Sequence, residues 1–328
     1  MNRKILVTGA AGKVGQNFIE HFKADKKFAG DLVVGFCHNR LIKEEKNISI
    51  FQGNIAEKES VAKAMKGITH VIHLATCKES PDIIIDITVK GLFWLLEEAR
   101  QSPTLKQFIL LGGDAAIGHC VYPYDKPQIE TDPFRPYPGC YALSKVLEET
   151  LLQQYYIQYN LNGCCLRAPW IMEKDDFKKS LSFGDDVFGG PKWKDLVPKE
   201  NAKKYAEKNM VPIMTDSKGI AIKRNFVHVT DLTNAIGLAI DNPQARQQLF
   251  HISMSRPVDY QELADYLKKS KGLDSVKVPT EFHSTWMDNS KAKLFLNWDP
   301  KYNLEKLVDD SFDFKRAATD PRVIYYKG

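Results

Sequence analysis

The sequence predicts an α/β fold: an open, doubly wound parallel sheet carrying a smaller C-terminal domain. Three observations predict it. Short apolar runs alternate with amphipathic stretches through the first half of the chain, a glycine-rich turn links the first run to the first helical stretch, and the pattern changes after Trp170. A chain of 328 residues is also long for one compact core, so one large domain and a smaller one are expected.

The strand-like runs fall at 5–8, 32–37, 48–51, 70–74, 108–111 and 163–167. Between them lie helical patterns such as 61–65, 84–100 and 141–159. Strands separated by helices imply right-handed crossovers and helices on both faces of the sheet. Residues 173–222 are polar and weakly periodic, as expected of a functional insertion or lid. The sheet pattern is expected to resume at 225–229, with a helix after Asp231. The expected division is a dinucleotide-binding domain of 1–172, to which 223–252 return, and a substrate-binding domain of 173–222 and 253–328. The second domain should close over the carboxyl edge of the sheet, where open α/β sheets bind ligands.

Composition narrows the function classes. Hydrophobic residues make up 43% of the chain and charged residues 27%, an ordinary globular balance, and the net charge of +5 is spread among interleaved acids and bases. That distribution suits a solvated surface better than a nucleic-acid footprint. No apolar run approaches the roughly 20 residues of a membrane span, and the chain opens at once on a strand without a three-part signal peptide. Cys37, Cys77, Cys120, Cys140, Cys164 and Cys165 have no metal-ligand spacing. Reduced thiols, no metal and a cytoplasmic location are expected.

The turn reads Val7-Thr8-Gly9-Ala10-Ala11-Gly12-Lys13-Val14-Gly15. Gly9 permits the tight turn, Gly12 lets the backbone approach a pyrophosphate, and Gly15 lets helix and strand pack closely. Free N–H groups at the helix start then face the phosphates. This is a Rossmann-type dinucleotide site, with Gly9, Ala11, Gly12, Lys13, Val14 and Gly15 lining it.

The G-x-x-G-x-x-G spacing, with several later segments, resembles the extended short-chain dehydrogenase/reductases, the NAD-dependent epimerase/dehydratase family. The segments run in family order: Gly53-Asn54-Ile55, His73-Leu74-Ala75-Thr76, Tyr141-Ala-Leu-Ser-Lys145, Leu166-Arg167-Ala168-Pro169, Arg224-Asn225-Phe-Val-His228-Val-Thr-Asp231, and Ser290-Lys-Ala followed by Leu296-Asn-Trp298. The resemblance implies cofactor contacts from Asn54, Ile55, Leu74, Ala75, Thr76, Tyr141, Lys145 and Ala168. It also implies a homodimer through the helical stretches 84–100 and 141–159.

The second strand departs from the family pattern. It ends Phe36-Cys37-His38-Asn39-Arg40, with no carboxylate to bind ribose hydroxyls or repel a 2′-phosphate. His38 and Arg40 can pair with such a phosphate, so the cofactor is NAD or NADP, tilted towards NADP.

Tyr141 and Lys145, four residues apart, project from one helix face. A phenol ordinarily titrates near pH ~10, and a neighbouring ammonium makes it a better acid. Tyr141 can then exchange a proton with a hydroxyl as hydride moves at the same carbon. The resemblance implies that Lys145 also holds the nicotinamide ribose. A third family member is missing, because Gly113 stands where a Ser or Thr orients the substrate. Asp114, or an ordered water, is expected to take over that role, a turn cap being the alternative reading of Asp114. Ala115 stands where sugar 4,6-dehydratases of the family carry a catalytic Glu, which argues against that reaction.

The stretch 277–286 contains no Arg to clamp a diphosphate. A free sugar, sugar acid or similar polyol is therefore expected over a nucleotide sugar. Candidate pocket groups are Thr76, Gly113, Asp114, His119, Tyr137, Arg167 and Asn225, with Trp170, Phe183, Phe188 and Trp193 as aromatic faces for a sugar. The expected activity is an NAD(P)-dependent oxidoreductase. Two alternatives stand beside it: an epimerase that oxidises transiently, and a dinucleotide-sensing protein without catalysis.

Overall fold

The computed structural model describes residues 2–320. The end of the expected second domain, 321–328, lies outside the described residues. The first half of the chain runs β1 (Lys4–Thr8), α1 (Lys13–Ala24), β2 (Leu32–Cys37), β3 (Ile48–Gln52), α2 (Lys58–Ala64), β4 (His70–His73), α3 (Pro81–Ile84), α4 (Gly91–Gln101), β5 (Gln107–Gly113), α5 (Cys140–Tyr159) and β6 (Gly163–Ala168). A π-helical turn at Ile85–Lys90 joins α3 to α4, and buried Thr88 within it accepts the Cys77 N–H at 3.0 Å.

The second half runs β7 (Trp170–Met172), α6 (Asp176–Ser180), α7 (Lys199–Glu207), β8 (Val211–Thr215), β9 (Lys223–Arg224), β10 (Phe226–His228), α8 (Val229–Ala239), β11 (Gln248–His251), β12 (Val258–Asp259), α9 (Tyr260–Lys271), β13 (Ser275–Pro279), α10 (Ser290–Leu296) and α11 (Leu304–Asp313).

Seven parallel strands form the main sheet in the order β11-β6-β5-β4-β1-β2-β3. Side chains along each strand alternate between two apolar layers. On β1, Ile5 and Val7 join the layer built with α1 and α8, while Leu6 joins the layer built with α2, α4 and α5. The chain order reverses on either side of β1, so the crevice between the ends of β1 and β4 is the switch point where such sheets take ligands.

One strand falls elsewhere than expected. The run at 225–229 forms β10, which pairs with β7 in a separate two-stranded sheet, and β11 is the seventh strand of the main sheet. Phe226 and Val227 are buried in either arrangement, so their apolarity alone does not choose a partner strand.

A second apolar cluster draws on Met172 to Phe226 and on Met254 to Val308. There β8 pairs with β13 and β9 with β12, stitching the inserted segment to the C-terminal one. Phe183, Phe188 and Trp193 are buried in this cluster, and Trp193 Nε1 donates to the Ser180 carbonyl at 2.6 Å. They serve that core and offer no face to a sugar. Helix α10 and Trp298 return to the first core instead. Asp231 organises that return: its carboxylate accepts the N–H groups of Lys301 and Tyr302 at 3.0 Å, and its carbonyl accepts Trp298 Nε1 at 3.0 Å. Among the described residues, no helix is long and apolar enough to cross a membrane.

Candidate active site

The glycine turn lies at the switch point. Gly9 has φ +65°, and a Cβ there would stand 2.9 Å from the Ala75 nitrogen at the end of β4. At Gly15 a Cβ would stand 2.4 Å from the Gly9 carbonyl oxygen, so helix α1 seats on the turn only without a side chain. At Gly12 the nearest atom is 3.1 Å away, and no side chain caps the N-terminus of α1. Backbone N–H groups are thus presented across a surface stripped of side chains, which fits a dinucleotide pyrophosphate. The ammonium of Lys13 turns away to the segment after β6, bound to Asp176 at 2.5 Å and to the Ile171 carbonyl at 3.2 Å. Val14 is buried under the turn.

A cleft of about 400 Å³ continues from the turn along the loop after β2, lined by Ala11, Lys13, Arg40 and Lys43 among others. His38 and Arg40 are exposed on this loop. On the neighbouring strand end, the Asn54 side chain accepts the Ala56 N–H at 3.0 Å and donates to Glu57. Ile55 packs against Gly91, which keeps α4 close. Leu74 and Ala75 donate their N–H groups to Thr8 Oγ1, tying the β4 end to the turn, and Thr76 is exposed just beyond.

Helix α5 carries Tyr141 and Lys145 to the carboxyl ends of β5 and β6. Glu79 caps its start by accepting the Tyr141 N–H at 3.2 Å, favourable against the positive end of the helix. The same carboxylate accepts Cys140 Sγ at 3.0 Å and the Tyr137 hydroxyl at 3.4 Å. Gly113 ends β5 in register with Ala168 of β6. A Cβ at Gly113 would lie 3.6 Å from the Tyr141 hydroxyl and 3.6 Å from the Lys145 stem. A first side-chain carbon at Gly113 would thus sit in ordinary van der Waals contact with the phenol, and the missing Ser or Thr leaves that place unfilled.

Two ammonium groups act on Tyr141. Lys78 Nζ sits 4.1 Å above its ring and Lys145 Nζ lies 5.5 Å from the ring centroid. Burial pushes the phenol up, but Lys78 and then Lys145 pull it down by more, leaving it a stronger acid than an ordinary tyrosine. Lys145 in turn is ion-paired at 2.7 Å with Glu148, one helical turn on.

Asp114 is neither a bare turn cap nor an isolated carboxylate. Its Oδ2 lies 2.5 Å from His119 Nδ1, and His119 Nε2 meets Arg224 Nη2 at 2.6 Å and Nε at 3.2 Å. Burial opposes a charge on His119 and Asp114 favours one, the balance lying up at about 9. Yet guanidinium donors at Nε2 require a lone pair there, and that contact fits the neutral ring with its proton on Nδ1, towards Asp114. Arg224 also donates to the Gly190 carbonyl at 3.3 Å and stacks 3.9 Å over Trp170.

Two expected pocket residues are spent inside the core. Arg167 is 1% exposed, paired with Glu149 at 2.6 and 3.0 Å and with His251 at 3.0 Å. Asn225 is 3% exposed, donating to Thr285 and accepting the Met287 N–H. Three residues beside the site carried no reading in the sequence: Lys78, Glu79 and Glu148. Glu148 had a signal, being three residues from Lys145 on a helix. Lys78 and Glu79 reach Tyr141 only through the loop after β4.

The model of the NAD dependent epimerase/dehydratase family matches residues 5–172. The chain belongs to this family. This epimerase/dehydratase-family chain is 24% identical over 350 residues to vestitone reductase of Medicago sativa, with 97% of this chain and 94% of that protein covered. It is 23% identical over 323 residues to UDP-glucuronate 4-epimerase of Thermodesulfobacterium geofontis, with 92% of each covered. Among solved structures, a short-chain dehydrogenase/reductase superfamily protein of Agrobacterium tumefaciens with bound NAD superposes with a TM-score of 0.79 at 20% identity, covering 94% of this chain and 96% of that one. The family expected from the motifs is the family found, and the seven-stranded parallel sheet is its fold.

Proposed function

We propose that this chain is an NAD(P)-dependent oxidoreductase acting on a hydroxyl or carbonyl of a carbohydrate-like substrate, a sugar, sugar acid or similar polyol. The observation that carries the proposal is the acidified Tyr141 phenol beside Gly113, at the carboxyl end of the sheet that also carries the glycine turn. The dinucleotide supplies hydride transfer when bound. Gly9 to Gly15 would cradle its phosphates, Lys145 would orient its ribose, and His38 and Arg40, exposed after β2, would pair with a 2′-phosphate, tilting the choice towards NADP. Tyr141 takes the hydroxyl proton in oxidation and returns it in reduction. Asp114 holds His119, and His119 with Arg224 lines the pocket in place of the absent Ser or Thr. Thr76 and Tyr137 complete the candidate polar rim.

Arg224 is engaged by His119, Gly190 and Trp170, and 277–286 offers no second Arg. A single preoccupied guanidinium clamps a diphosphate poorly, which supports an unactivated substrate. The alternative of epimerisation with transient oxidation draws support from the UDP-glucuronate 4-epimerase relative. One assay separates the readings. Free sugars, sugar acids and nucleotide sugars are offered with NAD or NADP while the absorbance of reduced nicotinamide is followed. Net appearance or loss of reduced nicotinamide with a free sugar or sugar acid is expected. Product from a nucleotide sugar without net change in the cofactor would overturn the proposal in favour of epimerisation. We further propose a homodimer formed through α4 and α5.

A further inference from the structure

Behind the proposed acid–base pair lies a buried carboxylate that the reaction as described leaves unused. Glu148 Oε2 is 2.7 Å from Lys145 Nζ, and Oε1 faces His73 Nε2 at 4.0 Å. His73 Nδ1 is 2.8 Å from Thr8 Oγ1. Because Thr8 Oγ1 already accepts two N–H groups, from Leu74 and Ala75, its own proton goes to His73 Nδ1. The imidazole therefore carries its proton on Nε2, aimed at Glu148. Burial and then Lys145 hold His73 down at about 3, so it stays neutral. Thr8, His73, Lys145 and Glu148 are all closed off from solvent. Neither Glu148 oxygen meets a donor in good hydrogen-bond geometry, so the ammonium of Lys145 is its principal compensation.

That ammonium has two claimants. Tyr141, one turn before Lys145, gains acidity from it, and Glu148, one turn after, draws it towards the sheet. The groups facing this cluster are few. Glu148 is acted on by Lys145 and Glu149 of α5 and faces His73 of β4, Lys145 is acted on by Tyr141, Glu148 and Cys165 of β6, and Lys78 reaches Tyr141 from the loop after β4. Burial pushes Glu148 up to about 7 against the pull of Lys145.

We propose that Glu148 is a positioning residue: its buried carboxylate, backed by neutral His73, competes with the Tyr141 phenolate for the Lys145 ammonium and so decides how much of that charge Tyr141 receives. The inference rests on Tyr141 being the acid–base of the preceding section. It links the catalytic helix to the cofactor turn, since Thr8 directly precedes Gly9.

The test is a pH titration of tyrosinate ultraviolet absorbance in the full-length protein. Subtracting the matching Tyr141→Phe variant isolates Tyr141 from the other tyrosines. In Glu148→Gln, which keeps the shape and removes the charge, the Tyr141 midpoint falls by roughly one pH unit, because the phenolate becomes the only counter-ion of Lys145. In a Lys145→Met background the same Glu148→Gln change moves the midpoint by clearly less, because no ammonium remains to share and only the direct repulsion between the Glu148 and Tyr141 anions is relieved. A midpoint that is unchanged or raised in Glu148→Gln overturns the proposal, and so does a fall of the same size without Lys145. Should the Glu148→Gln variant not fold, Glu148→Asp withdraws the carboxylate by one methylene and gives a smaller fall in the same readout, with no fall as the overturning result. Failure of the parent reading looks different: Tyr141 of the unaltered protein would titrate as an ordinary tyrosine, and Tyr141→Phe would keep its turnover.

Discussion

Tyr141 shows how a half-buried phenol is made useful at the scale of one residue. Its surroundings raise it by desolvation and lower it by charge, and two lysines outweigh the burial. Replacing Tyr141 by Phe keeps the ring and its packing and removes the proton. Turnover should fall by at least about 100-fold with dinucleotide affinity retained, as measured by steady-state kinetics and calorimetry. Near-normal turnover in Tyr141→Phe combined with a dead Asp114→Asn would move the acid–base role to Asp114. Lys145→Ala carries a signed pH dependence. Without that ammonium the Tyr141 phenol becomes a weaker acid, so the phenolate needed for oxidation forms only at higher pH. The acid limb of the oxidative rate profile should move upward and activity should partly recover at alkaline pH, whereas Tyr141→Phe recovers at no pH. A limb that stays in place in Lys145→Ala would show that Lys78 alone sets the phenol.

At the scale of the element, the glycine turn separates two uses of a missing side chain. At Gly12 an added carbon would meet one atom, the Gly9 carbonyl oxygen at 3.1 Å, and the position matters chiefly for what approaches from outside, whereas at Gly15 an added carbon would stand 2.4 Å from that oxygen and collide with the turn's own backbone. Gly12→Val should therefore abolish dinucleotide binding in calorimetry while thermal unfolding changes little. Gly15→Ala should lower stability by at least roughly 1–3 kcal/mol in denaturant titration, because overpacking displaces α1 from the turn. Equal stability losses in the two variants would refute this division. Helix α5 has a similar double use: its inner side carries Tyr141, Lys145, Glu148 and Glu149 towards the sheet ends, and its outer side exposes Leu143 and Ile157 among polar residues such as Thr150 and Gln154.

On the scale of the whole molecule, that outer side is the surface proposed for the homodimer. Leu143 is 50% exposed and Ile157 78%, with Phe93 of α4 also exposed. Residues 143 and 157 are fourteen apart, four helical turns, and so lie on one stripe. The protein should sediment as a dimer, and Leu143→Glu combined with Ile157→Glu should yield a folded monomer. A monomeric unaltered protein, or a dimer that survives both charges, would rule this interface out. The second apolar cluster meets the proposed site through Trp170, which stacks on Arg224, and so is tied to Asp114 and His119 through the Asp114–His119–Arg224 chain.

Features that depend on local order along the chain were legible in one dimension. Alternating apolar runs and helical stretches specify a parallel sheet, because a strand followed by a helix can return to that sheet in one hand only. Glycines at 9, 12 and 15 specify the turn because each removes a side chain from a fixed distance along one strand and helix. The pair at 141 and 145 needs only the 3.6-residue period to share a face. Contacts between distant segments settled the rest. Val227 is buried beside β7 and not in the main sheet, a choice no local pattern encodes. Arg167 looks like a pocket cation when read along the chain, but in the core Glu149 pairs with its charge and His251 accepts one of its N–H donors. Asp114, His119 and Arg224 are spread over more than a hundred positions and become one chain only when β9 folds against the loop after β5. Lys78 reaches Tyr141 for the same reason: the field at a buried group is a sum over everything packed around it, and packing brings together residues that the sequence keeps apart.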